Sequence, residues 1–234
     1  MSKPGASVPV HRVRFVDWSP SAITALALSP VAWTESPAAG RSVLAIGRDN
    51  GNIDLCTWCE GQSGSIAQGW SPVWTLLGEE NYKIESLAFT ASASHLRLFS
   101  TSGGSIVSEH FLPSSLTGQQ AADTRTPTRT LSSHGGAIWS MAASPTGKFL
   151  AIGCEDGVVR LIDVAGDAFE HVGTGMHVAP RMTRVASRIL SLAWGPPRRQ
   201  MATSNDSDDD DDEAWRDTYL LGGLGNSTAA VWDV

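Results

Sequence analysis

An all-β propeller is the fold class this sequence predicts, and three observations predict it. A short apolar phrase occurs four times, as Ile23-x-Ala25-Leu26-Ala27, Ile84-x-Ser86-Leu87-Ala88, Ile138-x-Ser140-Met141-Ala142 and Ile189-x-Ser191-Leu192-Ala193, and three copies place a proline at one offset, Pro30, Pro145 and Pro196. A second phrase follows, Ala45-Ile46-Gly47-x-x-Asn50-Gly51-x-Ile53-x-Leu55, then Ala151-Ile152-Gly153-x-x-Asp156-Gly157-x-Val159-x-Leu161, and more loosely Leu221-Gly222-Gly223-x-x-Asn226-Ser227-x-Ala229-x-Val231-Trp232-Asp233. Both phrases alternate with period two, which marks strands rather than helices.

Taken in order, each unit begins with the first phrase as one strand. A link follows, then the first half of the second phrase as another strand. Asn50-Gly51 and Asp156-Gly157 supply the positive backbone angle that a tight hairpin needs, and a third strand returns after them. Trp74-Thr75-Leu76 and Arg129-Thr130-Leu131 are candidate outer strands. One such unit cannot cover its own apolar face, so units stack and the core runs through their interfaces.

The units start at 23, 84, 138 and 189, spaced more widely than the ~40–45 residues of a WD-type blade. The excess falls in insertions. The distance from the proline to the strand glycine is short in the third unit and long in the first and fourth, so the variable link joins the first strand to the second. Expected organisation is a flexible stretch over 1–9, a propeller portion over 10–234, and a disordered acidic insertion over about 200–216. Because four units are few for a propeller and the last residues, Val231-Trp232-Asp233-Val234, read as the end of a third strand, the sequence reads as the front part of a longer, tandem-propeller chain.

Net charge is −7 over 234 residues, yet Asp206, Asp208 to Asp212 and Glu213 account for all of the excess. The remaining body is balanced. A block of like charge stays solvated, and its sharper reading is a contact for a basic partner, modulated by phosphorylation of Ser204 or Ser207. No stretch reaches the ~18 apolar residues of a membrane span. With three cysteines and no apolar signal core at the start, the expectation is a reducing intracellular compartment.

Motifs that could carry chemistry have plainer explanations. Cys56-Thr57-Trp58-Cys59 has C-x-x-C spacing, but it falls at a strand end, and Cys154 alone remains to complete a zinc site. Gly222-Gly223-x-Gly225 lacks the following helix that a phosphate loop requires. His134 precedes the third unit; in WD-type blades a histidine here reaches the turn aspartate, which is Asp156. Catalysis by His134 would need a nucleophile and an orienting acid. No metal, cofactor or small-molecule substrate is expected. Trp139, Trp194 and Trp232 fall on repeat positions and are expected in the packing, whereas Trp18, Trp33, Trp58, Trp70 and Trp215 lie in links or at strand ends. Arg12, Arg14, Trp18, Arg198 and Arg199 are the candidate partner contacts, too scattered for a groove-reading nucleic-acid face.

The run Ser133-His134-Gly135-Gly136-Ala137-Ile138-Trp139-Ser140-Met141-Ala142 with Gly153-Cys154-Glu155-Asp156-Gly157, together with Val10-His11-Arg12-x-Arg14-Phe15-Val16-Asp17 and Ser187-Arg188-Ile189-Leu190-Ser191, resembles the cirhin family, the small nucleolar RNA-associated WD-repeat proteins of the small-subunit processome. The sequence departs from the WD pattern at Cys56 and Ile162, where many blades carry tryptophan, and at Ser102-Gly103-Gly104-Ser105. The resemblance implies a nucleolar, non-enzymatic scaffold that joins other processome subunits on precursor ribosomal RNA, meets that RNA indirectly or without reading its sequence, and supports its processing, small-subunit assembly and ribosomal DNA transcription. It implies no membrane partner. His134, Asp156, Gly157, Asn50, Gly51, Trp232 and Asp233 are then structural turn and blade positions. The alternative is a generic WD-repeat recognition module, such as a ubiquitin-ligase substrate receptor.

Overall fold

Why a phrase should recur four times is answered by how successive sheets touch. The computed structural model describes residues 21–30, 42–59, 69–78, 82–91, 96–112, 129–173, 182–199 and 215–234, and its regular structure there is all strand. The first sheet runs β1 (Ile23–Leu28), β2 (Val43–Arg48), β3 (Ile53–Cys59), β4 (Gly69–Leu76), and the second runs β5 (Ser86–Ala91), β6 (Leu96–Thr101), β7 (Ile106–Phe111), β8 (Arg129–Ser132). The third is β9 (Ile138–Ala143), β10 (Phe149–Cys154), β11 (Val159–Asp163), β12 (Glu170–His171). In the fourth, β13 (Ile189–Trp194) pairs with β16 (Tyr219–Leu224), which pairs with β17 (Ala229–Asp233). A separate two-stranded ribbon, β14 (Arg198–Arg199) with β15 (Trp215–Arg216), lies between β13 and β16 in the chain. All pairings are antiparallel.

Two strand glycines of the second phrase, Gly47 and Gly153, are seats. A Cβ at Gly47 would stand 2.6 Å from Ile84 Cγ2, and one at Gly153 would stand 2.7 Å from Ile189 Cγ2. The leading isoleucine of one unit therefore rests on the strand glycine of the unit before it. Across the ladder the strand glycines of the second phrase face the small third residue of the first phrase, with Gly47 opposite Ala25, Gly153 opposite Ser140 and Gly223 opposite Ser191. The proline offset has an equally local cause. Ser29, Ser144 and Gly195 each donate their N–H back to the second strand, to the carbonyls of Val43, Phe149 and Tyr219, all at 2.8 Å. The proline that follows has no N–H to continue the ladder.

Three apolar clusters fill the three interfaces. Val43, Ile53 and Leu55 meet Ile84, Phe89 and Leu98 in the first; Phe99 and Val107 meet Ile138, Ile152 and Ile162 in the second; Leu161 meets Ile189, Leu220 and Trp232 in the third. Leu98 and Phe99 are neighbours on β6, point to opposite clusters, and are both fully buried. Burying each such side chain contributes roughly 1.5–3 kcal/mol. Because the second sheet is covered on both faces, β6 is buried along its whole length, whereas β2 alternates.

Two expectations are refined by the structure. Cys56 lies within β3, not at its end, because that strand continues to Cys59 and pairs with β4 as far as Gly69. The acidic insertion expected to reach 216 gives way earlier, since Trp215 and Arg216 pair in the ribbon. Residues 1–20 and 200–214, which hold the expected flexible start, Arg12, Arg14, Trp18 and the acidic run, lie outside the described residues.

Candidate functional site

The turns that the sequence singles out share one geometry. Gly51 N–H donates to the Arg48 carbonyl, Gly157 N–H to the Cys154 carbonyl and Ser227 N–H to the Leu224 carbonyl, each at 3.2 Å. The preceding side chains cap the turn, with Asn50 Oδ1, Asp156 Oδ1 and Asn226 Oδ1 accepting from the N–H groups of Asn52, Val158 and Thr228. A positive φ is needed at the second residue only, 85° at Gly51, 76° at Gly157 and 65° at Ser227. This is a turn with a glycine-type bulge, one residue longer than a two-residue hairpin. Turn backbones also receive the next unit, since Val185 N–H bonds the Gly157 carbonyl at 2.9 Å and Ile84 N–H bonds that of Arg48 at 3.0 Å.

Asp156 is held by Arg160 and not by the His134 ring. Arg160 Nη1 and Nη2 donate to Asp156 Oδ1 at 3.0 Å and Oδ2 at 2.7 Å, and Nη2 also reaches the His134 carbonyl at 3.3 Å. A guanidinium fork matches a carboxylate better than one imidazole N–H does. The hydrogen bonds from Arg160 hold the Asp156 carboxyl below its ordinary range, against the opposing effect of partial burial. Gly135 makes room for the guanidinium, because a Cβ there would stand 2.2 Å from Arg160 Nη1. The His134 ring instead packs against His171 at 5.3 Å between centroids. Arg160 was missed in the sequence because nothing in its own neighbourhood marks it; it acts across the bulge four residues from its partner.

Buried charged groups tie sheet to sheet. Arg97 is 6% exposed and donates to Glu109 Oε1 at 2.6 Å and to the carbonyls of Val164, Gly166 and Ala168 beyond β11. Arg129 donates to Glu109 Oε2 at 2.6 Å and to the Asp167 carbonyl at 2.8 Å. Burial opposes ionisation of Glu109, and the bonds from Arg129 and Arg97 outweigh it, so its carboxyl sits below the ordinary value. Asp217, 7% exposed, accepts from the N–H and hydroxyl of Thr146, joining the fourth sheet to the third. Removing one member of the buried Arg97–Glu109 ion pair should cost about 3–5 kcal/mol.

Among the described residues, Ser100 Oγ and His110 Nε2 form a hydroxyl–imidazole pair at 2.8 Å. It is built for packing. Ser100 is 3% exposed, and burial pushes His110 down to about 4, against the opposing pull of Glu109, leaving a poor base near neutrality. Burial also raises the thiols of Cys56 and Cys154, which opposes thiolate chemistry. Among the described residues no group of three His, Cys, Asp or Glu side chains could hold a metal ion.

Of the aromatic positions, Trp232 is 4% exposed and donates Nε1–H to the Thr183 carbonyl at 3.1 Å, while the adjoining Asp233 is exposed. Cys56 and Ile162, at the corresponding repeat positions, are buried like Trp232. Trp194 joins the third cluster. Trp139, expected in the packing, is exposed; its Nε1 donates to Glu155 and Arg188 lies over its ring at 4.7 Å. Trp58 and Trp70 are exposed cross-strand partners in edge contact at 5.6 Å. Arg198 and Arg199, both exposed, form β14, and the register brings Trp215 and Arg216 across from them, a pairing no sequence pattern announces.

Comparison with known proteins places this arrangement. Residues 125–163 match the WD domain, G-beta repeat. U3 small nucleolar RNA-associated protein 4 of Saccharomyces cerevisiae is 33% identical over 79% of the chain, the protein of the same name in Schizosaccharomyces pombe 34% identical over 78%, and the Homo sapiens homolog 30% identical over 84%. The chain covers 21–23% of the length of these relatives. Among solved structures it superposes on a chain of the Chaetomium thermophilum Polycomb Repressive Complex 2 bound to GSK126 with a TM-score of 0.61 and 16% identity, covering 94% of this chain and 41% of that one. A humanized mutant of that complex gives 0.59 over 91% of this chain and 38% of that one. These likenesses establish the fold: the chain is an all-β WD-repeat protein.

Proposed function

We propose that this WD-repeat chain is a non-catalytic scaffold of the small-subunit processome, acting in the nucleolus to hold other subunits on precursor ribosomal RNA and so to support its processing and the assembly of the small ribosomal subunit. The observation that carries the reading is the 30–34% identity, over 78–84% of the chain, to relatives named as U3 small nucleolar RNA-associated protein 4. The chemistry of the fold supports it. Arg97, Glu109, Arg129, Asp156, Arg160 and Asp217, the charged groups in the best-formed contacts, are engaged in holding sheets and turns together. Exposed tryptophans and arginines remain on the surface as the means of binding partners. A role in ribosomal DNA transcription belongs to the same proposal, and so does the description of 10–234 as one propeller portion with an acidic insertion.

Affinity purification of the tagged chain from cells of its source tests this. Recovery of processome subunits with U3 RNA and precursor ribosomal RNA is expected. Recovery of ubiquitin-ligase adaptors without those RNAs would overturn it in favour of a generic recognition module.

A further inference from the structure

The two ends of the stack carry the residues that its interior interfaces use. In each interior unit the first phrase sets three apolar side chains against the unit before it, Ile84, Leu87 and Phe89 in the second, Ile189, Leu192 and Trp194 in the fourth. Their counterparts on β1 are Ile23, Leu26 and Leu28, and each is more than half exposed. At the other end, Leu221, Ala229 and Val231 stand where Ala45, Ile53 and Leu55 stand in the first unit. The first-unit residues are buried under the second sheet, and the fourth-unit residues are exposed. Gly223 completes the likeness. A Cβ there would meet, among the described residues, only the Ser191 side chain, whereas at Gly47 and Gly153 it would meet the isoleucine of the next unit. Ser191 is exposed as well, while its counterpart Ser140 donates its hydroxyl to the Ile189 carbonyl of the next unit at 3.0 Å.

We propose that the open face of the fourth sheet docks the open face of the first sheet of a second copy of this chain, with Ile23 entering the seat at Gly223 and the Ser191 hydroxyl donating to the Ile23 carbonyl. Each of the three interfaces within the stack joins these same two kinds of face, so the chain already makes this match three times. Contiguous exposed apolar residues of this kind mark interaction sites. Both faces are open in the structure, so the chain does not cover them itself. A charged partner finds no opposite charge among Ile23, Leu26, Leu28, Leu221, Ala229 and Val231, whereas a second copy offers each face the apolar shape it meets inside the stack. Contact between two different faces is heterologous, and it propagates from copy to copy unless the rotation closes a ring.

Sedimentation of the 234-residue chain over a concentration series tests this, read with two doubly substituted variants. Ile23→Asp with Leu26→Asp blocks the first face, and Leu221→Asp with Val231→Asp blocks the second. The parent should reach twice the mass of one chain or more as concentration rises, and dilution should release single chains with both faces in water. Each variant alone should stay a single chain. Mixed in equal amounts they should form a dimer and stop there, because each pair retains one intact face of each kind. A parent that stays a single chain at submillimolar concentration overturns the inference, and so does either variant dimerising alone, which would require a face to pair with its own kind. A mixture that remains single chains, while both variants keep the parent's circular-dichroism spectrum, overturns it too. If an aspartate pair loses that spectrum, serines at the same two positions replace it and the same outcomes decide. Co-purification with processome subunits moves none of these readings.

Discussion

Three hairpin turns with the same hydrogen bonds differ at their left-handed position, and that difference has a sign. Gly51 and Gly157 occupy the left-handed position with the residue that tolerates it, while Ser227 occupies it at φ 65°. An L-residue there costs about 1–2 kcal/mol. Ser227→Gly should therefore stabilise the chain by about 0.5–1 kcal/mol, part of the relief being lost to the greater freedom of glycine when unfolded. Gly157→Ala should do the reverse and by more, about 2–4 kcal/mol, because its Cβ would also stand 2.3 Å from the Val185 carbonyl oxygen. Urea titrations of both variants check the pair; shifts of the same sign, or both reversed from these directions, would refute the turn argument. The Asx-Gly steps were legible because backbone geometry is a property of the residue itself. Arg160 was not, because its partnership with Asp156 exists only once the bulge has formed.

At the scale of elements, β6 and β7 carry a pH response. Alternation along β7 puts Glu109 toward Arg97 and Arg129, and the next residue, His110, toward Ser100. Burial depresses His110 to about 4 from its ordinary 6.5. A depressed folded value means the unfolded chain takes up a proton that the native protein refuses, so the stabilisation is complete above about 6.5 and is lost as pH falls toward 4. The melting temperature should fall across that window in the parent protein. In His110→Gln the fall should be shallower between pH 6.5 and 4.5, and an identical profile in the variant would remove His110 as the cause. The strands themselves follow from period-two patterning, yet which face of β7 meets the arginines depended on the second sheet being covered on both sides.

The whole molecule is a stack whose interior interfaces and end faces obey different rules. Ile84, Ile138 and Ile189 are at most 5% exposed, whereas Ile23, at the same place in the same phrase, is 56% exposed. Leu26 and Leu28 on β1, and Leu221 and Val231 on β16 and β17, are likewise exposed and lie outside all three clusters. Leu98→Ala, in the middle of the stack, should cost about 2–5 kcal/mol through the cavity it opens. Leu26→Ser, on an end face at 60% exposure, should change stability by less than about 0.5 kcal/mol. Equilibrium unfolding of the two variants measures the contrast, and comparable losses would show that the first sheet is covered on its outer face.

Sequence alone determined the repeated inner strands and, in the first and third units, their Asx-Gly reversals, because alternation, Asx-Gly steps and the missing proline N–H act over a few neighbouring residues. The glycine seats were visible as letters but not as seats. Only the tertiary structure decided that Gly47 and Gly153 are spaces filled by Ile84 and Ile189, that Arg97 spans from β6 to the segment beyond β11, and that Trp215 lies across from Arg199. Each of these joins residues far apart in the chain, and such contacts are selected by packing and charge once the sheets have met.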